Sequence, residues 1–306
     1  MLTTVNQGRV VVGLLATFLL LAGTLAAQPA SPQTSRVAQP SPAARAPRLA
    51  PQAGYQFHDE SPIGGFIVQR WVSAASPEVS PAGMCECLTV VYQGTRRILT
   101  LGTPDSIEAI SVVAPSGRDI NGDGLPDLVA SNWSGGAHCC YSTTAYSVGA
   151  QLTTLLSLNT GDCGPGAFED LDGDGVLEFS TCDTGWQYQY CSFAYSPFPT
   201  VVYAYDAARR EYRVATPRFA RTLQKQVASD LAEAQKHLAE AAGKDLGMDK
   251  CAVLKPALGL MYAGQPVEGL AILAKFYRGP DREAFVKETA AKVRASPLWL
   301  APPARR

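Results

Sequence analysis

Between residues 57 and 215 the chain alternates short apolar runs, rich in β-branched and aromatic residues, with clusters of Gly, Asp, Asn, Ser and Pro. That rhythm predicts antiparallel strands joined by tight turns. Strands are expected over 65–72, 88–92, 97–101, 109–113, 128–131, 141–148, 152–158, 179–182, 186–193 and 201–205. After Pro217 the period changes. Leu223, Val227, Leu231, Ala234 and Leu238 recur at three- and four-residue spacing, which places them on one helical face ending near Gly243. Further helices are expected over 250–263, 266–277 and 280–295, the last with a proline in its first turn. The predicted fold class is therefore mainly β and antiparallel, followed by a small all-α C-terminal domain.

The N-terminus follows another pattern. Arg9 precedes an apolar run over 10–22 and then small residues at Gly23, Thr24, Ala26 and Ala27, which predicts a secretory signal peptide over 1–27. The run is shorter than the about 20 residues of a membrane span, so no span is expected once the signal is cleaved. No cysteine lies near the cleavage region to accept a lipid. Residues 28–57 carry three Arg, no Asp, Glu or Lys, and many Pro, Ala, Ser and Gln. Such a stretch cannot bury a core and is expected as a disordered or polyproline-like linker. The remaining organisation is a β-domain over 58–215, a helical domain over 216–297 and a tail over 298–306.

Charge sharpens that division. Residues 58–215 hold 7 Arg, no Lys and 18 Asp or Glu, a net of −11, whereas 216–306 hold 15 basic and 9 acidic residues, a net of +6. An acidic surface repels phosphate backbones, so the β-region is not expected to bind nucleic acid. It is suited to cations.

Two segments concentrate the acids: Asp119-Ile-Asn121-Gly-Asp123-Gly-Leu125-Pro-Asp127 and Asp170-Leu-Asp172-Gly-Asp174-Gly-Val176-Leu-Glu178. Both put oxygen-bearing side chains at alternate positions. A tight loop converges the first, third and fifth side chains, glycine permits the turn, the seventh residue offers its carbonyl (Leu125, Val176), and the ninth adds a carboxylate. Six to eight oxygens at about 2.3–2.6 Å suit calcium, whereas magnesium keeps more water and zinc prefers nitrogen and sulfur. An EF-hand needs a glutamate at the twelfth place and flanking helices. Ala130 and Thr181 stand there, next to strand-like segments. Polar Asp-Gly turns would explain one such loop, but not two matching at five positions. Two bound calcium ions are expected, the second loop, with side-chain charge −4 against −3, being the tighter.

The chain resembles the FG-GAP or VCBS repeat family, whose repeats carry an Asp-x-Asp/Asn-x-Asp-Gly-x-x-Asp loop followed by an apolar strand. The match runs over 119–130 and 170–179, with Glu178 replacing the usual final Asp. The resemblance implies β-propeller-like blades with calcium loops at their edges, in extracellular recognition proteins. The 51-residue offset between loops fits one blade. The β-region has room for about three blades, whereas a closed propeller uses four or more. Leu258, Gly259, Tyr262 and Ala271 also resemble one tetratricopeptide helical hairpin.

Eight cysteines in an exported chain predict disulfides. Cys163 and Cys182 bracket the second loop and are expected to clamp it. Cys139 and Cys140, on opposite strand faces, suit different partners. Cys251 is either free or a bridge to the β-region. A rival soft-metal site would use Cys85, Cys87, His138 and Cys139. Redox or transition-metal handling would need free thiols.

No Gly-x-Ser-x-Gly, His-Glu-x-x-His or phosphate-cradling loop occurs. Trp186, Tyr188 and Tyr190 are expected on one strand face, as inter-sheet core or as a stacking platform for sugar or peptide. The sequence thus points to a secreted, periplasmic or cell-surface calcium-binding module, more a binding or structural protein than an enzyme, with an extracellular protein or carbohydrate as partner. The alternative is a secreted calcium-dependent hydrolase, which would need a concave pocket holding a perturbed carboxylate or histidine away from the loops.

Overall fold

The computed structural model describes residues 54–103, 106–136, 140–241 and 243–302. The expected signal peptide, most of the expected linker, His138 and Cys139 lie outside them. The described residues fold into twelve strands and four α-helices, with every strand pairing antiparallel.

The strands form three meanders in chain order. The first comprises β1 (Tyr55–Ile63), β2 (Phe66–Ser73), β3 (Cys85–Gln93) and β4 (Arg96–Leu101). The second comprises β5 (Ile107–Val113), β6 (Asp127–Trp133), β7 (Tyr141–Val148) and β8 (Leu152–Gly161). A two-residue ladder, Cys85↔Glu108 and Glu86↔Ile107, joins these into one eight-stranded sheet. The third is a separate four-stranded sheet of β9 (Ala167–Glu169), β10 (Glu178–Cys182), β11 (Thr200–Asp206) and β12 (Glu211–Val214).

Packing explains why β6 reads Asp-Leu-Val-Ala-Ser, buried at five successive positions. Its alternate side chains enter two different cores. Leu128 joins Phe66, Val68 and Val91 of the first meander, while Val129 joins Phe179, Val201 and Tyr203 of the third. Strand β6 is therefore covered on both faces, which suits its consecutive apolar residues Leu128, Val129 and Ala130.

Among the described residues neither sheet closes on itself, and there is no barrel or ring of blades. The propeller expectation is corrected on that point to open antiparallel sheets. The place of further strands is taken by helices α1 (Ala220–Ala241), α2 (Leu246–Tyr262), α3 (Pro266–Phe276) and α4 (Arg282–Ala295). Val253, Leu254, Leu258 and Tyr262 of α2 share one core with Trp186, Val201 and Tyr203. Helix α2 starts where Asp245 caps the amides of Gly247 and Met248. Its close approach to α3 depends on Gly269, where a Cβ would lie 2.4 Å from Met261 Cγ and 2.5 Å from the Ala257 carbonyl oxygen. Trp299, expected in the tail, donates its indole N–H to the Met261 carbonyl at 3.0 Å.

The largest departure from the periodicity lies at 186–193, which is not a strand. Short 3₁₀ turns occupy Thr184–Trp186 and Phe193–Tyr195. The Asp183 carboxylate accepts from Gly185 N, and Ser196 Oγ accepts from Tyr188 N. These local bonds offer the backbone an alternative to a ladder. The three aromatics consequently part: Trp186 is buried, Tyr188 is exposed with φ +55°, and Tyr190 packs edge-on against Phe285. Strands β1, β9 and β12 were not visible in the pattern, being an edge strand of mixed exposure and two segments of three and four residues.

Candidate metal centres

Each acidic loop joins the first and second strands of its meander, β5 to β6 and β9 to β10. Their hydrogen bonds correspond residue by residue. The first aspartate turns inward to cap the loop: Asp119 accepts from Gly122 N and Gly124 N, both at 2.7 Å, and Asp170 accepts from Gly173 N at 2.7 Å and Gly175 N at 3.1 Å. The fifth residue accepts from the seventh, Leu125 N to Asp123 at 2.8 Å and Val176 N to Asp174 at 2.9 Å. The ninth accepts from the second, Ile120 N to Asp127 at 2.7 Å and Leu171 N to Glu178 at 2.9 Å. All four loop glycines have φ between +78° and +89°, where a side chain is strained.

The loops are stitched together. Leu177 N donates to the Ile120 carbonyl at 2.9 Å, and the buried Tyr212 hydroxyl lies 2.9 Å from the carbonyls of both Ile120 and Leu177. Burial, with the nearby Asp127 and Glu178 charges, pushes the Tyr212 phenol upward, so it stays a donor. Neither Tyr212 nor Ser147, which donates to Asp123 Oδ2 at 2.8 Å, had a signal in the sequence.

In the second loop, Asp170, Asp172 and Asp174 each place one carboxylate oxygen within 4.8 Å of the others, an arrangement that could hold a metal ion. The first loop has Asn121 at the third place, donating its amide to Asp123 Oδ2 at 3.1 Å. Its ninth residue is the most telling. Asp127 is completely buried and its Oδ1 has no hydrogen-bond partner. Desolvation, reinforced by the charges of Asp123 and Asp119 and opposed by the Ile120 amide and the Ser147 hydroxyl, pushes its carboxyl up to about 7. Glu178, 1% exposed, is raised for the same leading reason. A buried carboxylate oxygen without a partner is costly, and a cation among these all-oxygen donors would remove that cost. The donor set therefore fits a hard metal ion.

Disulfides join Cys85–Cys87, Cys163–Cys182 and Cys191–Cys251, Cys140 is disulfide-bonded too, and no described cysteine is free. The expected clamp on the second loop is present, and Cys251 bridges to the segment before β11. The soft-metal alternative loses two ligands to the Cys85–Cys87 bond. The pairing expected for Cys139 lies outside the described residues.

Away from the loops, a groove runs between the 194–200 segment and helices α1 and α2. One cavity of about 370 Å³ is lined by residues including Phe198, Gln226, Asp230 and Lys255. An adjoining one of about 100 Å³ adds Tyr195, Glu233 and His237. Burial raises the Asp230 carboxyl against the hydrogen bond from Gln226 and the charge of Lys255.

No protein-family model matches the chain, and no solved structure matches it. An uncharacterized protein, y4bJ, of Sinorhizobium fredii (strain NBRC 101917 / NGR234) is 29% identical over 84 residues. The aligned part is 28% of this chain and 13% of that relative's length. No helix among the described residues is long and apolar enough to cross a membrane. The disulfides are compatible with an extracellular location.

Proposed function

We propose that this protein is an exported, calcium-stabilised β-repeat module that binds an extracellular protein or carbohydrate or serves a structural role. The observation that carries the reading is the buried, partnerless Oδ1 of Asp127 in the first acidic loop, together with the converging carboxylates of Asp170, Asp172 and Asp174 in the second. Asp119, Asn121, Asp123, the Leu125 carbonyl and Asp127 would hold one calcium ion; Asp170, Asp172, Asp174, the Val176 carbonyl and Glu178 would hold another. Bound calcium supplies the positive charge that like-charged carboxylates otherwise lack. The protein's own residues fix the turn and close it against the neighbouring loop through Tyr212. Three successive four-stranded meanders, two with the acidic loop between their first and second strands, support reading them as FG-GAP or VCBS-type blades in an open array. The groove beside Tyr195 and Phe198 is the candidate recognition surface.

The test is metal analysis of the exported protein followed by calcium titration of the stripped form. Uptake of two calcium ions per chain and a melting temperature lowered by EDTA are expected. Protein that takes up no calcium and melts identically in EDTA would refute the reading.

A second reading, a secreted hydrolase, is favoured by one observation: the groove holds a carboxyl raised by burial, Asp230, near Glu233 and His237. Turnover of model glycosides, esters or peptides that is lost in Asp230→Asn would favour it, and a blank screen would leave the binding module.

A further inference from the structure

The two loops are alike in backbone and unlike in what faces their carboxylates. The second is met by a cation from elsewhere in the chain. Arg218 donates through Nη2 to Asp172 Oδ2 at 2.5 Å and lies 3.3 Å from Asp174 Oδ2. These are the third and fifth ligand positions. The guanidinium is held there by its surroundings. It belongs to the 3₁₀ turn Thr216–Phe219, which is anchored by the bond from Val202 N to the buried Thr216 hydroxyl and by the burial of Phe219 beside Val202 and Ala204. Its guanidinium carbon lies 5.2 Å from the Phe219 ring centroid, and Thr222 Oγ1 bonds the Leu171 carbonyl at 3.3 Å.

The first loop has no equivalent. Among the described residues its carboxylates receive side-chain bonds from neutral donors, Asn121 and Ser147, and Arg210 acts on Asp123 through space alone. Charge counting from sequence ranks the second loop as the tighter site. Counting the guanidinium removes that advantage, because −4 becomes −3, and a fixed positive charge next to two ligands repels an incoming cation.

We propose that Arg218 is a built-in counter-cation that competes with calcium for the second loop, so that two loops of near-identical sequence fill in order, the first before the second. The inference rests on the calcium reading above and adds to it an order of occupancy set by a residue 40 positions beyond Glu178. Arginine suits the role because its fork reaches two carboxylates at once and it never loses its charge. Moving a partly exposed unit charge away from a cation site at this distance changes affinity by about tenfold or more.

The experiment is calorimetric titration of the metal-stripped full chain with calcium alone, for the unsubstituted protein, Arg218→Gln, and the charge-conserving Arg218→Lys. Asp123→Ala in each background removes the first site and assigns the steps. Two unequal steps are expected in the unsubstituted protein, with the weaker one belonging to the second loop. In Arg218→Gln that step should tighten about tenfold while the first stays unchanged, and Arg218→Lys should keep most of the inequality. Equal sites in the unsubstituted protein, or constants unmoved by Arg218→Gln, would overturn the role of Arg218 and leave calcium binding standing. No calcium uptake by any variant would overturn both. A melt of each variant in EDTA checks folding, and because Lys retains the charge, a shift shared by both variants would assign the effect to lost packing and sink the proposal.

Discussion

Replacing Asp127 by Asn should stabilise the metal-free protein, and calcium should take away most of that advantage. In the metal-free protein the Asp127 carboxyl is buried, one oxygen bonded to Ile120 N and the other without a partner. Its proton affinity is set by that environment: the carboxyl moves from an ordinary 3.8 to about 7. The folded chain thus holds a proton that the unfolded chain releases. Stability of the metal-free protein must then fall as pH rises from about 4 to about 7 and level off above. The full excursion corresponds to about 4 kcal/mol, as an upper value. Asn keeps the shape and the acceptor for Ile120 N, and it cannot ionise. In EDTA at pH 8 the variant should therefore be more stable, by up to about 4 kcal/mol or about 10 °C in melting temperature. At pH 5 the gain should shrink to about 1.5 kcal/mol. In saturating calcium most of that advantage is lost. Each filled site adds about 2.7 kcal/mol at 100 times its dissociation constant, and the variant should retain only the contribution of the second loop. Thermal melts at pH 5 and pH 8, with EDTA and with calcium, decide the matter. A variant less stable than the parent in EDTA at pH 8, or a parent whose metal-free melting temperature ignores pH, would refute the reasoning.

Two further outcomes are expected. Loop-closure entropy ranks the disulfides: replacing Cys191 and Cys251, separated by 60 residues, should cost about 4 kcal/mol, and Cys163 with Cys182, separated by 19, about 3 kcal/mol, against about 1 kcal/mol for Cys85 with Cys87. Urea unfolding of the three double-serine variants checks the order, and a larger loss at Cys85 and Cys87 would contradict it. Tyr212→Phe leaves the buried Ile120 carbonyl with one fewer donor and should cost about 1–3 kcal/mol. Because the hydroxyl ties both loops, calcium affinity should weaken at the two sites together, which titration of the variant reads directly; weakening at one site alone would show that Tyr212 does not couple them.

Most strands and all four helices were legible in the chain, because their signals are local. Glycine and aspartate clusters end strands, and a change of period from two to between three and four marks the turn to helices. The two acidic loops were legible as turns for the same reason: each builds its own hydrogen bonds within nine residues. The region over 186–193 was misread because alternating aromatics carry the same period whether the backbone pairs in a sheet or bends through the bonds of Asp183 and Ser196. Periodicity counts apolar positions; it does not see competing acceptors.

The sequence by itself determined the antiparallel β-region with its two acidic loops, the helical end and the oxidised cysteines. Only the tertiary structure decided that the meanders remain an open array covered by helices, and that Asp127 is the buried, partnerless acid. It also decided that Arg218, far along the chain, pairs with Asp172 and Asp174 of the second loop, whereas the side-chain donors to the first loop's carboxylates are neutral among the described residues. The physical reason is that ligand spacing is a property of a few consecutive residues, whereas burial and electrostatic neighbours are properties of the packed whole. Two loops nearly identical in sequence can therefore be unequal in affinity.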